Sequence, residues 1–167
     1  MDEAAVMEIL RGRLASSEIR ESLSAIADEL LADLRADPAA PKSTFRSIPL
    51  SRYGDGLPPD VQSAWVFVLR KGLDHPPERH PNSIQRMFAL NRPGRFAVWD
   101  GRCWIGSLLT PGAEGLSIPQ DTWHRMPAQD EEWAVASFQT AKPHDLIEIV
   151  GDPESGAVAT RRAYLAD

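Results

Sequence analysis

From Gln62 onward the chain is a succession of short β-forming runs separated by turns, and this pattern narrows its fold more than any other feature. Residues 62–72, QSAWVFVLRKG, are apolar and rich in β-branched and aromatic side chains, and SIQRMFAL follows over 83–90. The turn Asn91-Arg92-Pro93-Gly94 leads into RFAVWD; Asp100-Gly101 is a strong hairpin signal, and RCWIGSLLT returns from it. GLSIP, EWAVASFQTA and HDLIEIVGD supply further strands. Strands this short and this regularly punctuated predict a β-sandwich or barrel.

The first part of the chain has a different period. From Ser17, the residues Ile19, Leu23, Ile26, Ala27, Leu30 and Leu34 recur at spacings of three and four, which places them on one face of an amphipathic helix. Ser17 is the expected N-cap and Asp37-Pro38 the stop. A shorter helix is expected over Glu3 to Arg13, broken near Gly12. Such an apolar stripe packs on the β domain or forms a dimer interface, which is the motive for expecting a homodimer. Between helices and strands, residues 37–61 hold prolines 38, 41, 49, 58 and 59 with Gly54 and Gly56, an extended connection with at most one short strand. The expected organisation is therefore helices over 1–37, a Pro-rich connection over 38–61 and a β domain over 62–167.

Composition narrows the partners. The chain has 167 residues, 43% of them hydrophobic and 25% charged, as one folded domain requires. A net charge of -6 and the lack of any Lys/Arg cluster argue against nucleic acid, whose phosphates call for a basic surface. No apolar run approaches the roughly 20 residues that span a bilayer, and the start, MDEAAVMEIL, is acidic where a signal peptide carries positive charge. The single cysteine, Cys103, excludes an intrachain disulfide and is expected to pack. The five tryptophans (65, 99, 104, 123 and 133) are expected mostly in core or pocket wall. These features predict a cytoplasmic protein whose partner is a small molecule.

Two segments carry side chains suited to a metal. In Gly72-Leu-Asp-His-Pro-Pro-Glu78-Arg-His80-Pro-Asn-Ser-Ile-Gln85, Glu78 and His80 are two apart and project to one face of an extended backbone. Gln85 joins that face if Pro81-Asn82-Ser83 bends the chain. In the second segment, Pro119-Gln-Asp121-Thr-Trp-His124, a turn delivers His124 to the start of the next strand. Two imidazoles, a carboxylate and an amide oxygen form a donor set for one divalent transition metal. Met87 and Met126 share the inward parity of Gln85 and His124 and are expected to line the pocket; Trp123 falls on the opposite face. His75 is a reserve ligand more compatible with a loop, and His144 is expected to be structural or exposed.

These segments resemble the two motifs of the small cupins, G-x5-H-x-H-x3/4-E-x6-G and G-x5-P-x-G-x2-H-x3-N. Gly72 stands before Glu78 with five residues between, Glu78-x-His80-x4-Gln85 occupies the H-x-H-x4-E positions, and Pro119-x-Asp121-x2-His124 occupies P-x-G-x2-H. The resemblance spans roughly residues 62–150. Glu78 replaces the first histidine, Gln85 the glutamate and Asp121 a glycine; Gly94 falls two residues late and the closing asparagine is missing. A divalent ion with one carboxylate still leaves a net site charge of about +1, as in the usual set.

The resemblance implies a mainly β, cupin-like antiparallel β-barrel (jelly roll) with an N-terminal helical extension. It further implies a metal-dependent enzyme acting on a small organic molecule, with Glu78, His80, Gln85 and His124 as ligands and Glu78 as the residue that moves a proton. Fe(II) and a dioxygenase-type oxidation are the favoured expectation, Mn, Ni or Zn being other metals that suit the donors. An isomerase or lyase, or a cupin that binds a small molecule without turnover, are the alternatives.

Overall fold

Helix formation follows the apolar spacing. The computed structural model describes residues 1–37, 39 and 43–165. Helix α1 covers Glu3–Ala15 and α2 covers Ser17–Ala36. The Asp2 side chain caps α1 by accepting from the Ala5 N–H at 2.8 Å, and the helix runs on through Gly12, where a break was expected. Ser16, one residue before the expected cap, is the N-cap of α2. This helix ends with the Asp37 N–H on the Asp33 carbonyl; Pro38, the expected stop, lies outside the described residues.

The strands are β1 (Ser43–Ile48), β2 (Ser63–Leu69), β3 (Glu78–Arg79), β4 (Gln85–Ala89), β5 (Gly94–Trp99), β6 (Trp104–Leu109), β7 (Leu116–Ile118), β8 (His124–Arg125), β9 (Trp133–Gln139), β10 (Ile147–Asp152) and β11 (Ala157–Ala163). They form two antiparallel sheets, ordered β1-β2-β9-β4-β7 and β11-β10-β3-β8-β5-β6. The architecture is the expected mainly β, antiparallel, cupin-like one with an N-terminal helical segment, a two-sheet sandwich in which no ladder among the described residues closes a barrel. The Pro-rich connection contributes β1, which pairs along its whole length with β2, and a short 3-10 turn over Leu50–Tyr53.

The inner strands of the five-stranded sheet, β2, β9 and β4, are buried on both faces, which explains why β2 and β9 read as nearly continuous apolar runs. On its outer face, Val66, Val68, Phe88, Ala134 and Phe138 pack with Leu23, Ala27, Leu30, Leu31 and Leu34 of α2. The amphipathic stripe therefore packs on the β domain of the same chain, one of the two packings expected for it. On its inner face, Leu69, Met87, Trp133 and Val135 pack with Phe96, Leu109 and Met126. Buried Arg86 points outward from β4 and ties α1 to the sheet, donating to Glu3 at 2.8 and 2.9 Å and to Asp60 at 2.6 Å. Gly94 has a steric reason: a β-carbon there would fall 2.1 Å from the Trp133 ring. No helix among the described residues is long and apolar enough to cross a membrane.

The tryptophans divide differently from expectation. Trp65 and Trp133 are buried, but Trp99, Trp104 and Trp123 are only partly buried. Trp104 lies beside Trp99, with ring centroids 5.5 Å apart, and carries the Arg125 guanidinium over its face. Amphipathic rings paired with arginine tolerate such a surface. Cys103 is exposed on the β5–β6 turn and does not pack.

Candidate metal centre

The candidate ligands come from the two shortest strands, each bracketed by prolines that cannot extend a ladder: β3 by Pro76-Pro77 and Pro81, β8 by Pro119 and Pro127. In the middle of the six-stranded sheet, Glu78 lies directly opposite His124, so their side chains meet on one face. His80 follows Glu78 by two residues and joins them. All three are buried, with 5%, 2% and 1% exposure for Glu78, His80 and His124. One ligand atom from each lies within 4.8 Å of the others.

The turn before His124 shows why its motif survives without glycine. Asp121 adopts φ 62°, a left-handed conformation that aspartate tolerates better than most residues. Its N–H donates to the His80 carbonyl at 2.9 Å, and its carboxylate pairs with Arg79 at 3.0 Å. Arg79 in turn sits 4.8 Å from the Trp123 ring centroid, on the side away from the ligands. The turn is thus fastened to the His80 segment.

Hydrogen bonding sets the histidine tautomers. His80 Nδ1 lies 3.0 Å from the Ile147 carbonyl, and His124 Nδ1 lies 2.9 Å from the Thr122 carbonyl. A carbonyl only accepts, so each Nδ1 carries the proton and each neutral ring presents its Nε2 lone pair, the arrangement typical of a metal-bound histidine. His124 Nε2 is buried without a hydrogen-bond partner and stands 3.5 Å from Glu78 Oε1. A lone pair thus faces a carboxylate oxygen in a buried site, and a cation between them would resolve the conflict.

Burial works to raise the Glu78 carboxyl, but positive charge on the imidazoles of His124, His75 and His80 outweighs it and holds the group below the usual carboxylate range; with the rings neutral, a metal cation would take the place of that charge. Burial, reinforced by His124, pushes the His80 imidazole down to about 4 against the pull of the Glu78 charge. An anionic Glu78 and a neutral His80 are the protonation states that coordination needs. The three residues form a site capable of holding a divalent transition metal. Ligands of a metal with bonds of roughly 2.0–2.2 Å lie up to about 4 Å apart, so the observed spacing is a small adjustment from a coordination shell.

Gln85, on the inner face of β4, lines the same cavity as Glu78, together with Met87 and Met126. Its Nε2 donates to Ser137 Oγ at 3.3 Å, and its Oε1 is buried without a hydrogen-bond partner. His75 lies in the loop before β3, as expected, with its Nδ1 3.9 Å from Glu78 Oε2, and stands outside the triad. His144 is exposed.

Two residues, buried Glu148 and half-buried Tyr164, carry no signal in the motifs. Glu148 of β10 receives Arg162 at 2.8 and 2.9 Å, and burial together with the Glu78 charge pushes its carboxyl up. A lone glutamate between Ile147 and Ile149 is the signal that marks it. Tyr164, just past β11, lines the cavity with Glu78, and no alternation in AVATRRA announces the strand that delivers it.

No protein-family model and no curated protein sequence matches the chain. Among solved structures it is similar to the DMSP lyase DddQ from Ruegeria pomeroyi DSS-3, at 20% identity and TM-score 0.52, covering 68% of this chain and 53% of that one. It is also similar to procruciferin, an 11S globulin from Brassica napus, at 18% identity and TM-score 0.52, over 67% of this chain and 28% of that one. Pumpkin seed globulin gives 19% identity and TM-score 0.52, over 66% and 29%. The chain thus spans about half the length of the lyase chain and less of the globulins. These neighbours are cupin-superfamily proteins, and the chain shares their fold. A fold shared by a lyase and by globulins leaves function to the site.

Proposed function

We propose that this protein is a metal-dependent enzyme that oxidises a small organic molecule with O2 at an Fe(II) centre held by Glu78, His80 and His124. The observation that carries the reading is the ligand set itself: two histidines with committed Nδ1 atoms and one buried carboxylate. Two histidines and a carboxylate, with open positions, are the ligands of many non-haem iron oxygenases, and the metal supplies the redox chemistry such a reaction needs. The Ile147 and Thr122 carbonyls fix the two rings. Glu78 holds one carboxyl oxygen toward His124 and the other toward His75; the second is the one placed to take a proton from a bound substrate. Gln85 offers a neutral, displaceable fourth donor. Trp65, Phe67, Met87 and Met126 line the chamber with apolar surface.

The size of the cavity beside Glu78, about 20 Å³, favours a second reading, a non-catalytic domain whose site turns over no substrate. Anaerobic reconstitution with Fe(II) followed by nitric oxide, observed by electron paramagnetic resonance, tests the oxygenase reading. An iron–nitrosyl signal is expected, because open positions remain beside three protein ligands; iron that binds but stays silent to nitric oxide contradicts it.

A further inference from the structure

The cavity at the candidate metal centre has room for about one water molecule, so whatever closes it governs access. Resting on the metal-centre reading, we propose that Tyr164 is the gate of this site: its ring seals the gap between the two sheets and swings aside to admit anything larger than water.

The two sheets have free edges at β1 and β11, and no ladder spans them among the described residues. Side chains close that side instead. The Tyr164 ring lies 4.9 Å from Phe45 of β1, 5.4 Å from Trp65 of β2 and 6.0 Å from His80, centroid to centroid. One ring therefore touches the edge strand of the opposite sheet and a candidate ligand together. Its own support is slight. Strand β11 pairs only with β10, and every one of its residues is exposed. The Tyr164 N–H donates to the Leu146 carbonyl at 2.7 Å, and Arg162 pairs with Glu148. A one-sided edge strand with no buried apolar contacts opens at low free-energy cost, and a β-bulge at Val150/Gly151 already loosens its ladder.

A gate has a kinetic signature that a ligand does not. It speeds or slows entry and exit by the same factor and leaves the equilibrium affinity unchanged. The test is stopped-flow measurement of Zn(II) uptake by the metal-free full chain and of Zn(II) release to a chromogenic chelator. Tyr164→Ala is expected to raise both rates by about tenfold or more, with the dissociation constant moving by less than about threefold, while Tyr164→Phe stays within about twofold of wild type. Phe45→Ala, on the opposite jaw, is expected to act in the same direction and serves if Tyr164→Ala fails to fold. Unchanged rates in the folded variants overturn the gate, as does a change in affinity as large as the change in rate. Failure of the wild type to take up Zn(II) overturns the metal-centre reading and the gate with it; normal uptake with ungated rates overturns the gate alone.

Discussion

At one end of the inner face of β2, β4 and β9, Leu69 faces Trp133 and Ala89 faces Val135, all buried and apolar. At the other end, Ser63 and Gln85 flank Gln139, and Trp65 and Met87 flank Ser137. Backbone, alternation and burial are the same at both ends; only the side chains differ. The polar end is costly unless satisfied, and most of it is: Ser83 donates to Gln139 at 2.8 Å and Gln85 to Ser137 at 3.3 Å. What remains unsatisfied there is Gln85 Oε1, an acceptor, and on β8 of the other sheet His124 Nε2 is likewise without a partner. One end of the sandwich is apolar core, and the other carries buried polar side chains beside the candidate metal ligands.

The largest effect belongs to the apolar end. Trp133→Ala removes a fully buried ring and is expected to cost about 3–5 kcal/mol in denaturant unfolding, whereas Ser137→Ala removes one hydrogen bond and costs about 1 kcal/mol. Equal losses at the two positions would break the comparison.

Next comes the pH dependence of the metal-free protein. Because His80 is held neutral down to about 4, the unfolded chain, protonating near 6.5, binds more protons between those values. Stability is then highest above pH 6.5 and falls as pH drops toward 4, by on the order of 3 kcal/mol from this group. Glu78, whose carboxyl is held low, adds its own loss only below its ordinary 4.5. Denaturation midpoints across this range should slope in wild type and flatten in His80→Gln; a slope unchanged in the variant places the proton uptake elsewhere.

The smallest effect is at the turn. Asp121→Gly relieves a left-handed backbone but removes the Arg79 pair, so thermal or chemical unfolding should shift by less than about 1 kcal/mol. A larger loss would mean that the ion pair, rather than the conformation, holds His124 in place.

Seven strands were legible because their apolar runs are long enough to show a pattern. Glu78 and His80 were legible through period-two spacing, and His124 through its turn. The strands that carry the ligands, β3 and β8, are two residues each and give no periodic signal; only the spacing of their side chains betrayed them. Strand β11 is exposed throughout, so AVATRRA lacks the alternation that a half-buried strand shows, and Tyr164 was lost with it. Gly94 reads in sequence as a displaced motif glycine, while in space the Trp133 ring explains it. The stripe of α2 was legible, but its partner, β2 of the same chain, depended on three-dimensional packing that spacing does not encode.

Whether Glu78, His80 and His124 hold a metal is decided by elemental analysis of protein purified without chelator, paired with His124→Ala. Close to one divalent transition metal per chain is expected in wild type, with loss of that metal in a variant whose unfolding transition persists, because apolar burial holds the sandwich. Wild-type protein that carries no metal and binds none of Fe(II), Mn(II), Ni(II) or Zn(II) tightly would contradict that expectation.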